Sequence, residues 1–254
     1  MDSNYYIEDF TENNYKKIIE KVVATRKCIL FSESDKKLDG NEILLRHDID
    51  FSVHRAYKLA AIENTLGVRS TYYVWFNSYF YNVFENEIIE LLRKISDMGH
   101  DIGVHFEAGI PKWGGGERTL ILYRDILQNL IQKEVKSFSF HNPTDIILRD
   151  YTNYKYAGLI NVYSKDIREK YAYCSDSNGY WRFARLEDFL NNTVGPVQVL
   201  THPVWWTPDI LYPRDRIERA IAGRAKKQAI IYDADINRLG RKNIGAEEGY
   251  GDNS

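Results

Sequence analysis

Short runs rich in β-branched, aliphatic and aromatic residues alternate with amphipathic stretches of helical spacing along most of this chain. That alternation restricts it to a parallel sheet covered by helices. Residues 42–47 (Glu-Ile-Leu-Leu-Arg-His), 69–75, 101–106, 137–141 and 196–201 read as strands, with weaker candidates at 158–163 and 171–174. Helices are predicted over 12–25, where Tyr15, Ile18, Ile19 and Val22 share a face, and over 52–66, 85–97, 117–133 and 213–231. Ser52 is suited to cap the second helix, and Gly67 and Gly99 to end the second and third. At 254 residues the expectation is one α/β domain, a closed or nearly closed (β/α) barrel. The domain is assigned to residues 1–235. Residues 236–254, with glycines, acids and few apolar anchors, read as a flexible C-terminal tail.

In such a barrel the chemistry sits where strands end. Here residues 42–47 run into Asp48-Ile49-Asp50, and the strand at 101–106 carries His105 near its end, followed by Glu107. The strand at 137–141 ends in His141, and the strand at 196–201 runs into His202. Alternation along a strand lets Asp48 and Asp50 face one side, and likewise His105 and Glu107. Converging carboxylates repel unless a proton or cation lies between them. Carboxylate with imidazole suits zinc or another divalent transition metal. A plainer role exists for each residue, since Asp50 could cap the following helix and a strand-end histidine can be structural. Agreement among four strand ends weighs against that. His47, of opposite parity to Asp48, and His100, which precedes its strand, are assigned structural roles. His54, one turn into a helix, is placed either at the surface or behind the site.

Composition narrows the function classes. Lys+Arg total 34 and Asp+Glu 36, a net charge of −2, which gives no basis for nucleic-acid or anionic-membrane binding. Cys28 and Cys174 form no C-x-x-C pair and no disulfide framework, and read as free thiols of a reducing compartment. The first residues lack the basic and apolar regions of a secretory signal, and no stretch approaches the roughly 20 apolar residues of a membrane span. A cytoplasmic protein is expected.

From about residue 42 to 206 the chain resembles the NodB-homology polysaccharide deacetylases. The resemblance lies in Arg46-His47-Asp48-Ile49-Asp50, in the run from Gly99 through His105 and Glu107 to Gly109, in Phe140-His141-Asn142-Pro143, and in Leu200-Thr201-His202-Pro203. Together with Ser175-Asp176-Ser177-Asn178-Gly179-Tyr180-Trp181 and the continuation to Trp205 and Trp206, these motifs resemble a divergent subgroup from surface-polysaccharide gene clusters. The resemblance implies a distorted seven-stranded barrel, Asp48 as general base, Asp50 and His105 as metal ligands and His202 as general acid. The family's second metal histidine falls at Gly109, which has no ligand atom, so Glu107, His141 or water must complete the site; Glu107 is taken as the third ligand.

The activity so implied is metal-dependent hydrolysis, zinc being the expected metal, of the amide in an N-acylated amino-sugar. A cytoplasmic site points to a nucleotide-sugar or lipid-linked precursor of a surface polysaccharide. His141, Asp176, Trp181, Arg182 and Trp205 are assigned to the substrate, through rings for stacking and an arginine for phosphate or carboxylate. Trp113 and the glycines after it suggest a mobile loop, but no phosphate-binding fingerprint is present. The alternatives are a non-catalytic binder of glycans or sugar nucleotides on the same scaffold, and a metal phosphoesterase.

Overall fold

The computed structural model describes residues 5–36, 39–108, 116–181 and 184–245. Among the described residues nine strands make one sheet: β1 (Lys27–Ile29), β2 (Glu42–Ile49), β3 (Thr71–Trp75), β4 (Asp101–Phe106), β5 (Ser137–Phe140), β6 (Lys155–Tyr156), β7 (Leu159–Asn161), β8 (Ala172–Ser175) and β9 (Val197–Thr201). Eight α-helices of the described residues accompany them: α1 (Glu12–Thr25), α2 (Val53–Thr65), α3 (Asn86–Asp97), α4 (Gly116–Ile131), α5 (Asp145–Asp150), α6 (Lys165–Lys170), α7 (Leu186–Asn192) and α8 (Pro213–Arg238).

The strand order is β6-β7-β5-β4-β3-β2-β9-β8. The seven strands from β7 to β8 are parallel to their neighbours and form the distorted barrel wall. β6 adds an antiparallel edge to β7, and β1 pairs with the first half of β2. Among the described residues no pairing joins β8 back to the β7 side, so the sheet is curled but open.

The strand period explains the two sides of the curl. Along β2, Leu44 faces a small cluster with Tyr73, Val162 and Tyr171, while Ile43 and Leu45 pack toward α1 and Ile49 toward α2 and α3. Arg46 shares parity with Leu44 and is fully buried, its guanidinium 4.5 Å from the Tyr163 ring centroid and 5.6 Å from that of Tyr73. Cation–π contact with two rings partly replaces the water that this charge has lost.

Tyr73 reaches across the curl because Gly103, its register partner on β4, has no side chain. A Cβ at Gly103 would lie 2.3 Å from Tyr73 Cε1 and 2.8 Å from the Ser137 carbonyl oxygen. Overpacking of this kind costs about 1–3 kcal/mol or more. Gly103→Ala is therefore expected to lower the unfolding free energy by that amount, read as a lower denaturant midpoint at unchanged m-value, and an unchanged midpoint would refute the close packing.

Helix boundaries follow local chemistry. Ser52 Oγ accepts from the Arg55 amide at 3.3 Å and caps α2, and Thr11 Oγ1 accepts from the Asn14 amide at 3.2 Å and caps α1. Gly67 and Gly99 take positive φ where α2 and α3 end. α8 extends past the predicted residue 231 to Arg238, and Ile221, Ile230, Ile231 and Tyr232 along it are exposed. Residues 236–245 of the predicted tail thus begin inside or just after a helix; residues 246–254 lie outside the described residues. No helix among the described residues is long and apolar enough to cross a membrane.

Candidate active site

The carboxyl ends of β2, β4, β5 and β9 meet in a cleft of about 350 Å³ whose walls include Asp48, Asp50, His105, His141 and His202. Register brings them there. β3 sets Trp75 beside His105, and β4 sets His105 beside Ser139 of β5. His141, two residues beyond Ser139, therefore stands above His105 on the same side.

Asp50 Oδ1 lies 3.2 Å from His105 Nε2 and 3.6 Å from His141 Nδ1, and the two imidazole nitrogens are 3.2 Å apart. These three atoms form the metal-competent group. Their surroundings fit a cation. Asp50 Oδ1 is buried without a hydrogen-bond partner among the described residues. His105 Nδ1 is occupied by Ser139 Oγ at 2.6 Å, which leaves its Nε2 free to ligate, and His141 Nε2 lies 3.0 Å from Asn142 Nδ2. The His141 ring is stacked on Trp75, centroids 4.0 Å apart and planes 15° from parallel, which fixes its orientation. Burial works against the charged form of Asp50, but His105, His141 and His202 outweigh it and hold the carboxyl well below its ordinary value.

On one side of this group stands Asp48. Arg46 donates to both of its oxygens, Nε to Oδ1 at 2.9 Å and Nη2 to Oδ2 at 2.6 Å, and Ser139 Oγ donates to Oδ1 at 3.3 Å. Burial would raise the carboxyl, yet Arg46 and then His105 keep it below its ordinary value, so Asp48 is ionised.

On the other side stands His202, whose Nε2 is 3.7 Å from Asp50 Oδ2. Its Nδ1 pairs with Asp176 Oδ1 at 2.6 Å, and its backbone amide donates to the same carboxylate at 2.9 Å. Trp206 Nε1 donates to Asp176 Oδ2 at 3.1 Å. Burial disfavours the imidazolium, but Asp176 first and then Asp50 overcome it and raise His202 to about 9. The cleft thus holds a carboxylate kept ionised and a histidine kept protonated on either side of a metal-competent group.

The other assigned residues divide. Trp205 lines the cleft. Asp176 is fully buried in the cleft wall and pairs with His202 Nδ1, which it orients. Trp181 is withdrawn from the cleft: its ring stacks on Phe10 at 4.8 Å and its Nε1 donates to Asp9 Oδ2 at 2.9 Å, because the chain after β8 turns back under the N-terminal segment. Glu107 stands outside the metal-competent group. Its carboxylate accepts instead from the Asn77 side-chain amide at 3.4 Å. His141, assigned to substrate, takes the place intended for it. Arg182, Gly109 and Trp113 lie outside the described residues. His47 and His100 are structural, both bound around the buried Glu63. His54 is exposed and pairs with Glu87. Cys28 and Cys174 are free thiols.

No protein-family model matches the sequence, and no curated protein matches it. Solved structures do show similarity. Among these neighbours are carbohydrate esterases and deacetylases and also a CE4 family pseudoenzyme from Bacillus anthracis. A family 4 acetyl xylan esterase from Clostridium thermocellum, in complex with a cobalt ion, is 14% identical with a TM-score of 0.44, over 72% of this chain and 84% of that one. The Bc1960 peptidoglycan N-acetylglucosamine deacetylase is 15% identical with a TM-score of 0.45, over 76% and 85%. The chitin deacetylase from Colletotrichum lindemuthianum is 15% identical with a TM-score of 0.41, over 79% and 87%. At such distances chemistry is read from this chain's own residues.

Proposed function

We propose that this chain is a hydrolase that uses a divalent metal to remove the acyl group from an N-acylated amino-sugar. The observation that carries the reading is the pair of oppositely tuned proton-transfer groups, Asp48 and His202, flanking Asp50, His105 and His141. Two groups whose environments push them toward opposite protonation states are the pattern of paired base and acid. The chemistry an ion held by Asp50, His105 and His141 supplies is Lewis-acid polarisation of the acyl oxygen. Three protein ligands with an open position suit a catalytic zinc, and zinc is the ion we favour.

The residues then divide the reaction. Asp48, held in place by Arg46, takes a proton from the attacking water as its oxygen bonds to the acyl carbon. His202, held by Asp176, gives its proton to the nitrogen as the carbon–nitrogen bond breaks, and a free amine leaves. Ser139 keeps His105 in the tautomer that presents Nε2. Trp75, Tyr79 and Trp205 line the cleft, and Tyr79 is 90% exposed at its mouth. Among the described residues the buried Nε1 donors of Trp75 and Trp205 have no hydrogen-bond partner. Aromatic faces with spare donors suit a sugar ring and its hydroxyls. A nucleotide-linked or lipid-linked precursor of a surface polysaccharide, met in the cytoplasm, is the substrate form we favour.

The test is product analysis: acetate and free amine released from N-acetylated amino-sugars by the metal-loaded chain. A chain that binds these sugars and releases neither product would be the non-catalytic binder instead. Because His202 acts in its protonated form, kcat should fall on the alkaline side. A cation at Asp50 offsets that carboxylate's pull on His202, so the limb is expected at or below about 9. Asp176→Asn should move the limb to lower pH, and a limb indifferent to Asp176 would remove His202 as the acid.

A further inference from the structure

Beyond the edge-to-face pair Phe51 and Phe80, whose centroids are 4.6 Å apart and which wall both spaces, lies a second cavity of about 300 Å³. Its sides are the first turn of α2, the start of α3 and the first half of α8. Five permanent cations line it: Arg55, Arg216, Arg219, Arg224 and Lys227. Four of them have carboxylate partners. Arg55 pairs with Glu12 at 2.5 Å, Arg219 with Asp209 at 3.8 Å, Arg224 with Glu85, and Lys227 with Glu87 at 3.2 Å; Glu87 also faces the cavity and pairs with His54.

Arg216 is different. It is 1% exposed, and no carboxylate touches it among the described residues. Its Nη2 donates to the carbonyls of Ile7 at 3.2 Å and Phe10 at 3.5 Å, and its guanidinium lies 5.4 Å from the Phe10 ring centroid. Among the described residues Nε and Nη1 have no hydrogen-bond partner, and neither does Nε of Arg55. Burial pulls Arg216 down to about 10, with Asp176 and Asp215 opposing only through space. A sequestered cation with idle donors is costly unless an anion answers it. The same cavity receives the amino end of α2, a 13-residue helix whose dipole adds positive potential there.

We propose that this cavity is a phosphate-binding subsite, recognised by Arg216 and the amino terminus of α2. Its ligand is the phosphate or diphosphate that joins a sugar to a carrier. Assigning that group to the substrate of the adjoining cleft rests on the deacylase reading; anion binding in the cavity does not.

The test is calorimetric titration of the metal-stripped full chain with inorganic pyrophosphate, and flotation with phosphatidylcholine vesicles doped with a long-chain alkyl phosphate. Saturable binding is expected, weakened about tenfold or more by Arg216→Met and kept by Asp50→Ala. Arg216→Met removes a core side chain, so Gly223→Glu is the companion variant. Gly223 lines the cavity on α8, and a Cβ there meets nothing within 4 Å, so the substitution adds a repelling carboxylate without disturbing packing. It should weaken binding as strongly. Binding of soluble pyrophosphate supports a soluble sugar phosphate, and binding of doped vesicles alone supports a lipid headgroup. Binding of neither, binding indifferent to Gly223→Glu, or binding lost with Asp50→Ala overturns the subsite. Acyl release without anion binding removes this inference alone, and anion binding without acyl release removes the hydrolase reading alone.

Discussion

His202→Ala should lower kcat by about 10²–10⁴-fold, the range for loss of a positioned general acid. Stability should fall as well, by about 1.5–3 kcal/mol or more, because the buried Asp176 loses its imidazolium partner and keeps only the residue-202 amide at 2.9 Å and Trp206 Nε1 at 3.1 Å. Steady-state kinetics on an activated ester of the same acyl group sharpen the assignment. A leaving group that needs no proton should recover most of the lost rate. If the amide and the activated ester lose rate equally, His202 positions substrate and is not the acid.

Glu63→Ala carries the largest expected cost in stability, about 3–5 kcal/mol, the cost of breaking a buried charged network. Glu63 is fully buried between the sheet and α2. Its Oε1 receives Tyr15 OH at 2.6 Å and pairs with His47 Nε2 at 2.9 Å, and its Oε2 receives Ser70 Oγ at 2.7 Å and Tyr72 OH at 2.8 Å. Removing the carboxylate strands all of these at once, a large part of the roughly 5–15 kcal/mol that holds a domain folded. Burial opposes its charge, but His47 leads the groups that lower it from 4.5 to about 2. The sign follows: this contribution is present above about pH 4.5 and is lost as pH falls through about 2. Over that window the difference corresponds to about 3 kcal/mol. Urea unfolding of wild type and Glu63→Gln from pH 7 to 3 should therefore converge toward the acid end. Parallel curves would deny Glu63 its ionised role.

The seven strands of the barrel wall were legible because each is a run of β-branched or aromatic residues with polar punctuation, and Ser52, Gly67 and Gly99 act where their chemistry says they should. The short helices α5, α6 and α7 were not legible, since six or seven residues make fewer than two turns and carry too little helical period, and neither were β1 and β6, strands of three and two residues. Strand parity and the motifs together located Asp48, Asp50, His105 and His202. Parity failed at Glu107: Asp50, His141 and His202, each one residue past its strand, reach the cleft, whereas Glu107 in the same position on β4 turns to Asn77. The place of His141 depends on the register of β5 against β4, a tertiary fact, although its spacing of two from Ser139 was visible. Asp176 and Trp181 lie close in one motif, yet one braces His202 and the other fills the core beside Phe10. Glu63, on the buried face of a helix, reads as an ordinary polar residue until its partners from α1, β2 and β3 are seen.

Metal content tests the central claim most directly. Purified chain, reloaded with zinc or cobalt and freed of excess, should hold near one ion per chain by elemental analysis. Glu107→Ala should hold as much, and Asp50→Ala, His105→Ala and His141→Ala should each lose it. Absence of bound metal after reloading, or loss in Glu107→Ala with retention in His141→Ala, would contradict the site and the hydrolytic reading built on it.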